Sequence, residues 1–335
     1  MPISITGLSK LKENTPLRTL EKTPSIISLN GLYRRRPSAV AAVGELSPAV
    51  TGKTTWNFST DGDLILPSYG TWTFTPSSTI TLTVKMWGGG GGTAVYDASS
   101  NGGAGGYSNG TITFASGTTY KLVVGQGGGG VAGDRNAGGG AGGTGISFNA
   151  NDTPIIVAGG GGGGYNGNLT GAGGGLSGQA ADQSGTAWTS CGGVAYGGSG
   201  GTQSAAGAGG GGSRRTGASG SGRNGGGLNT GSAATRTASG FGTGAAGAYN
   251  GGDAGSGGGG GGYFGGGEGG GNCAGSAGGG GSGFISAVFT INGQTIAGNR
   301  NTPGNNTDPD RGTSGNAGTQ ASSGFGSDGK ILLRL

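Results

Sequence analysis

Asp308 and Asp310 flank Pro309 in the stretch NNTDPDRG, where oxygen ligands at short spacing suit a hard cation such as Ca²⁺. The full calcium-loop pattern is missing, so the expectation is a solvated turn. Arg214, Arg215, Arg223 and Arg236 fall close together in loop-like sequence. Guanidinium forks suit the phosphates and carboxylates of an anionic polysaccharide, with a plain solvated surface as the alternative. The triplet Arg34, Arg35 and Arg36 suits either phosphates or an acidic protein surface, and neighbouring apolar residues favour the protein. Cys191 and Cys273 stand far apart in the sequence, too far for a C-x-x-C site, and are expected as free thiols.

Catalysis finds little support. The chain has no histidine, so a Ser-His-Asp arrangement cannot form, and no phosphate-binding G-x-x-x-x-G-K-[ST] loop is present. Acidic residues are scattered, with nothing to single out a glycosidase pair. A protein that binds without chemistry is expected, using no cofactor and no metal.

Aromatic residues are the other candidates. Tyr165, Trp188, Tyr196, Phe241, Tyr249, Tyr263 and Phe264 each stand between glycine runs. Facing solvent, such rings are contact anchors of large area and small entropy cost; facing inward, they plug the flanks of whatever the glycines build. Candidate receptor-binding residues are Trp188, Tyr196, Arg214, Arg215, Arg223 and Tyr249.

What must hold these residues is unusual, because 94 of 335 residues are glycine and only 10 % are charged. Ordinary globular composition is about 7 % glycine and about 25 % charged residues. Collagen is excluded: prolines number 10 and the glycines come in unbroken runs rather than at every third position. No apolar stretch is long enough to span a membrane, and the first residues lack a secretory signal's apolar core and cleavage site. Release by some route other than export is expected.

Charge divides the chain further. Residues 1–53 carry eight basic and three acidic groups, whereas residues 54–335 carry eleven of each, so the net +5 sits wholly in the first segment. Five prolines interrupt that segment, which reads as an extended docking arm without a long helix or central strand. Its apolar islands Ile26, Ile27 and Leu29 suit addition to a partner's sheet edge, and with Arg34, Arg35 and Arg36 they are the candidate docking residues.

Residues 54–158 alternate as β-strands do. Thr79–Trp87 puts Ile80, Leu82, Val84 and Met86 on one face and threonines with Lys85 on the other. Further strands are expected at Thr54–Ser59, Thr71–Thr75, Tyr107–Phe114, Thr118–Val124 and Thr153–Ala158. Residues 284–335 return to strand composition, with Asn292-Gly293 reading as a tight hairpin and Lys330–Leu335 as a strand inserted into a sheet formed earlier.

Between these lie residues 159–283, with 56 glycines in 125 positions. Burial at about 25 cal/mol per Å² cannot order a segment so poor in apolar side chains, when fixing each residue costs about 1–2 kcal/mol. Either it is disordered, as Gly/Ser linkers are, or its backbone holds itself. Runs that are pure, end at aromatics and are bracketed by strands favour the second: polyglycine-II threads, left-handed with three residues per turn, hydrogen-bonded side by side where no Cβ separates them. Shorter runs such as Gly88–Gly92 and Gly127–Gly130 grow from strand ends, so strands and runs form one architecture.

The succession VKMWGGGGG (84–92), GGAGGYSNGTITF (102–114), YKLVVGQGGGG (120–130), GGGAGGTGISF (138–148) and PIIVAGGGGGGYNG (154–167) resembles the glycine-rich domain of phage tail and bacterial surface proteins. A related arrangement is the glycine-rich region of anaplastic-lymphoma-kinase-type receptors. The resemblance covers roughly residues 72–335 and implies a mainly β fold, a jelly-roll-like β-sandwich joined to a polyglycine-II bundle with essentially no α-helix. The distal block is similar to polyglycine tip adhesins of tailed phages, whose end loops contact the host. This chain departs from them in its basic arm and its closing strand. The resemblance implies a virion protein made in the host cytoplasm and carried on the particle as a tail fibre or tip adhesin. Its partners would be other virion proteins through the arm and a host glycan or outer-membrane receptor through the loops. Fibre analogy adds a homotrimer, without heptads to support it. Nucleic acid is disfavoured, since no Arg-Gly-Gly occurs. The competing classes are a purely structural fibre or decoration protein and a cellular glycine-rich surface protein.

Overall fold

Alternating apolar residues organise the β part as expected. In the computed structural model, which describes residues 42–93, 101–129, 137–165, 168–182, 186–188, 193–212, 216, 248–250, 254–271, 275–319, 322 and 324–335, the fold is mainly β. The arm residues Ile26, Ile27, Leu29, Arg34, Arg35 and Arg36 lie outside the described residues, as do Cys191 and Cys273.

The chain runs through β1 (Val43–Val50), β2 (Lys53–Asn57), one helical turn α1 (Phe58–Asp61), β3 (Leu64–Leu66), β4 (Gly70–Pro76), β5 (Ile80–Trp87), β6 (Tyr107–Phe114), β7 (Tyr120–Val124), β8 (Thr144–Phe148) and β9 (Pro154–Ala158). Two short hairpins follow, β10 (Thr186–Trp188) with β11 (Gly193–Ala195) and β12 (Ala248–Asn250) with β13 (Ala254–Ser256). Then come β14 (Phe284–Ile285), β15 (Thr290–Ile296) and β16 (Lys330–Arg334).

Two antiparallel sheets result, ordered β14-β9-β8-β7-β4-β1-β2 and β15-β6-β5-β16-β3. Their inner faces share one core, with Phe74, Leu122 and Ile146 from the first sheet against Leu82, Val84, Phe114 and Leu333 from the second. This packing is consistent with a β-sandwich. Rings of Phe58, Phe74, Phe114, Tyr120, Phe148 and Phe289 touch in succession at centroid distances of 4.8–6.1 Å. These rings mark the end of the sandwich where the chain enters at Ala42, whose carbonyl accepts from Phe58 N–H.

Three sequence expectations change. The segment up to residue 53 reads as lacking a central strand, yet β1 lies between β4 and β2. Pro48 is tolerated because its pairing with β4 stops at Ser47 and the register to β2 breaks between Glu45 and Val50. Asn292-Gly293 is no hairpin turn. It lies inside β15, where the register against β6 shifts between Ile291 and Gln294 and Asn292 takes φ 52°, as in a bulge. The turn falls earlier, between β14 in one sheet and β15 in the other. Strands β3 and β8 are additions to the expected set, whereas β16 does sit between β5 and β3 inside its sheet.

Several of these strands continue directly into, or out of, glycine runs, and the runs bond to one another. Gly160 to Gly164 form the clearest case. Gly160 and Gly163 donate to Gly261 and Gly258, Gly161 and Gly164 to Gly89 and Gly92, and Gly162 to Gly171, at 2.7–3.0 Å. Carbonyls of the same run accept from three further runs: Gly160 and Gly163 from Gly281 and Gly278, Gly161 and Gly164 from Ala141 and Gly138, and Gly159 and Gly162 from Gly106 and Gly103. The partner thus changes at every residue and returns after three. One thread is surrounded by six, and its main-chain groups are paired without an apolar core.

Threads also arise outside residues 159–283. Residues 88–93, 101–106, 125–129 and 137–143 belong to the network, and so do 315–318 and 324–329, for example through Gly90 N–H to Ser327 O and Gly318 N–H to Gly91 O.

Candidate functional site

Threads that leave the strands and return to them must turn at their far ends, and those ends converge. Gly92 donates to Gly139, Gly138 to Gly164 and Gly163 to Gly258, so the departure and return points of several excursions meet at the end of the network remote from the sheets. Ala137 packs against Tyr165 there, and Tyr165 is buried. Tyr165 is therefore a plug rather than an anchor.

The second half of the network repeats this geometry. Threads 196–201, 207–212 and 266–271 lie together: Tyr196 N–H donates to Gly211 O, Gly270 N–H to Tyr196 O, and Gly210 N–H to Glu268 O, each 2.8 Å. Tyr196 keeps 43 % of its surface exposed although its backbone is held on two sides. Strand β11 precedes it directly and pairs Gly193 with Trp188, and Ala195 bridges Gly212, where the chain departs towards Arg214. Tyr249 lies in β12, which pairs with β13 just before the returning thread at Gly257. Trp188, Tyr196 and Tyr249 thus share the end remote from the sheets. Arg214, Arg215 and Arg223, with Arg236 and Phe241, lie outside the described residues.

Sequence reasoning passes over Leu169. It is 51 % exposed at this same end, held between Tyr165, whose carbonyl accepts from Asn168 N–H, and Asp182, whose N–H donates to Leu169 O. Asn168 Nδ2 pins the turn to Gly275 O at 3.1 Å. A lone leucine between glycine runs is the available signal, one that a search for aromatics alone does not pick up.

At the opposite ends of the threads the turns meet the sandwich. Tyr263 stacks on Phe284 with centroids 4.2 Å apart and touches Phe264 at 5.0 Å, while Val123 and Val157 pack beneath. Tyr263 and Phe264 seal this seam and do not belong with the exposed group.

Asp308 and Asp310 are not a solvated turn. Lys85 Nζ donates to both, at 2.9 Å to Asp308 Oδ2 and 2.8 Å to Asp310 Oδ2, and Arg334 bridges Asp310 and Asp63. Cations of the protein occupy the oxygens that a calcium ion would need, and among the described residues no cluster of three His, Cys, Asp or Glu is placed to hold a metal. Also among the described residues, no helix is long and apolar enough to cross a membrane.

Compared with protein-family models and with curated proteins, the chain matches none.

Proposed function

We propose that the protein is a tailed-phage virion component, a tail fibre or tip adhesin, that binds the host surface through loops carried on a polyglycine-II lattice joined to a jelly-roll-like sandwich. The observation that carries this reading is the three-residue period with which Gly159–Gly164 changes hydrogen-bond partners among six neighbours. A polyglycine-II helix, with three residues per turn, would have such a period. A platform of this kind fixes the roots of its loops before contact, which lowers the ordering cost of binding. Placement supports the reading further: Trp188, Tyr196 and Tyr249 share the end of the threads remote from the sandwich. The partners in this reading are other virion proteins for the arm and a surface glycan or outer-membrane receptor for the loops.

The test joins location to adsorption. Immuno-electron microscopy of purified particles is expected to label a distal tip, and the purified protein is expected to block particle adsorption. Tyr196→Ala is expected to weaken that block about 30-fold, the effect of an anchor of roughly 2 kcal/mol, with an unchanged melting temperature. Label tiled over the shell, with adsorption intact when the protein is removed, would make it a purely structural component instead.

A further inference from the structure

Between β15 and β16 the chain makes a long return, described at residues 297–319, 322 and 324–329, across the outer face of the five-stranded sheet and back into the glycine network. Few of the segment's own side chains are apolar and buried. Beyond its glycines, Pro303, Ser314 and Ala317 are buried and Phe325 is 38 % exposed, while Gly304 packs on Tyr107 beside the buried Trp87. Its backbone is also demanding, since Arg300, Asn305, Gly312, Gly315 and Gly324 all take positive φ, two of them without glycine's freedom.

Main-chain bonds to the glycine network hold its two ends, and charge fastens its middle. Lys85 of β5 donates to Asp308 and Asp310, and Arg334 of β16 forks between Asp310 and Asp63, at 2.6 Å to Asp63 Oδ2. Lys330 donates to the Asp310 carbonyl, Asn305 Nδ2 to Asp308 Oδ2, and Trp87 Nε1 to Gly304 O. Beyond this cluster the segment supplies threads: Gly105 donates to Gly315, Gly102 to Gly318, Thr93 to Gly324 and Gly90 to Ser327.

We propose that the Lys85, Asp308, Asp310, Arg334 and Asp63 cluster is a latch, and that opening it releases residues 305–319 and 324–329 with their glycine threads while the sandwich core stays folded. The latch couples a charged patch on the sheet to one flank of the glycine network. Its parts are half-exposed to nearly buried, with side-chain exposures from 8 % at Asp308 to 41 % at Arg334, so the pairs are partly shielded from screening without the full cost of burial.

Acidity gives a handle on the same cluster. The groups facing it are Lys85 on β5, Tyr107 on β6, Asp63 before β3, and Lys330 and Arg334 on β16, while Arg311 of the segment turns to Asn306, Ser314 and Asn316. Hydrogen bonds from Lys85 and then Arg334 hold the Asp310 carboxyl below its ordinary range. Although desolvation works against it, hydrogen bonds to Asp310 and Asp308 hold Lys85 above its ordinary value. For Asp310 the contribution is present above the unfolded carboxylate value of about 3.9 and is lost as pH falls through the lower folded value. For Lys85 it is present below the unfolded value of about 10.4 and is lost as pH rises through the higher folded one. The Asp310 and Lys85 contributions are therefore both present across neutral pH, and the Asp310 contribution is lost in strong acid.

Hydrogen–deuterium exchange on the full chain tests this, read at the amides of Gly315, Gly318, Gly326, Gly90, Thr93, Gly102 and Gly105 against those of the β5–β6 ladder. Asp310→Asn is expected to speed exchange at the first group about tenfold or more while the ladder is unchanged. Exchanging the charges, Lys85→Asp with Asp308→Lys, is expected to restore protection in part. Wild-type protein taken from pH 7 to pH 2, corrected for intrinsic rates, is expected to show the same selective loss, and this arm stands even where a variant does not fold. Unchanged rates at Gly315 to Gly326, or a rise of equal size in the β5–β6 ladder, would overturn the proposal.

Discussion

Glycine at a given position is either required or merely permitted, and the geometry tells the two apart. A Cβ built on Gly161 would lie 1.9 Å from Gly103 O, a backbone atom that cannot step aside. On Gly211, at the margin of the network, the nearest atom would be Tyr196 Cδ2 at 3.6 Å, an ordinary contact. Gly161→Ala is therefore expected to destabilise by about 1–3 kcal/mol or more, as overpacking does. Gly211→Ala should be near neutral, and paired denaturant melts would separate them. Equal effects would mean that close thread approach is not what the glycines serve. At this scale the sequence was partly legible. Runs ending at Tyr165 and Tyr263-Phe264 announced a repeated structure, but identical ring types gave no sign that Tyr165 is buried while Tyr196 is exposed. That difference depends on which thread end each ring closes, a property of the packing and not of the neighbours in sequence.

Among the elements, alternation was a sound guide wherever one face of a strand is buried. β5 and β6 were legible because Ile80, Leu82, Val84 and Met86 and then Ile112 and Phe114 lie in one core. β8 was missed because Gly145, Ser147 and the adjoining glycines dilute its pattern, and β3 because three residues, Leu64 to Leu66, show no period. Asn292-Gly293 misled for a physical reason: a residue at positive φ followed by glycine serves a bulge as well as a tight turn, and only the pairing partner decides. In β15, Asn292 at φ 52° suits asparagine and disfavours a β-branched side chain. A Cβ on Gly293 would meet Ile285 Cγ2 at 2.5 Å. Asn292→Val is expected to cost about 1–3 kcal/mol, measured by urea unfolding. Asn292→Gly should cost much less; a hairpin turn requiring both residues would not separate the two so clearly.

For the whole molecule, two sources of stability sit in series. The sandwich buries Phe74, Phe114 and Leu82 completely and must behave as other apolar cores do. The glycine network instead pairs amides with carbonyls and buries mostly polar backbone, and the two kinds of burial leave opposite marks on heat capacity. Exposing apolar surface raises it by about 0.45 cal/K/mol per Å², whereas exposing polar surface lowers it by about 0.26. Ordinary domains give about 12–15 cal/mol/K per residue on unfolding. For this chain a value below about half of that is expected by differential scanning calorimetry, with a correspondingly flat dependence of stability on temperature. Hydrophobic stabilisation weakens on cooling, so the network should also outlast the sandwich when the protein is cooled in mild denaturant. Exchange at Gly160–Gly164 would then stay slow after the β5–β6 ladder has opened. An ordinary heat-capacity change, or loss of the network before the sandwich in the cold, would show that apolar burial dominates after all. The period-three bonding around Gly159–Gly164 would then be a consequence of the fold and not its second support.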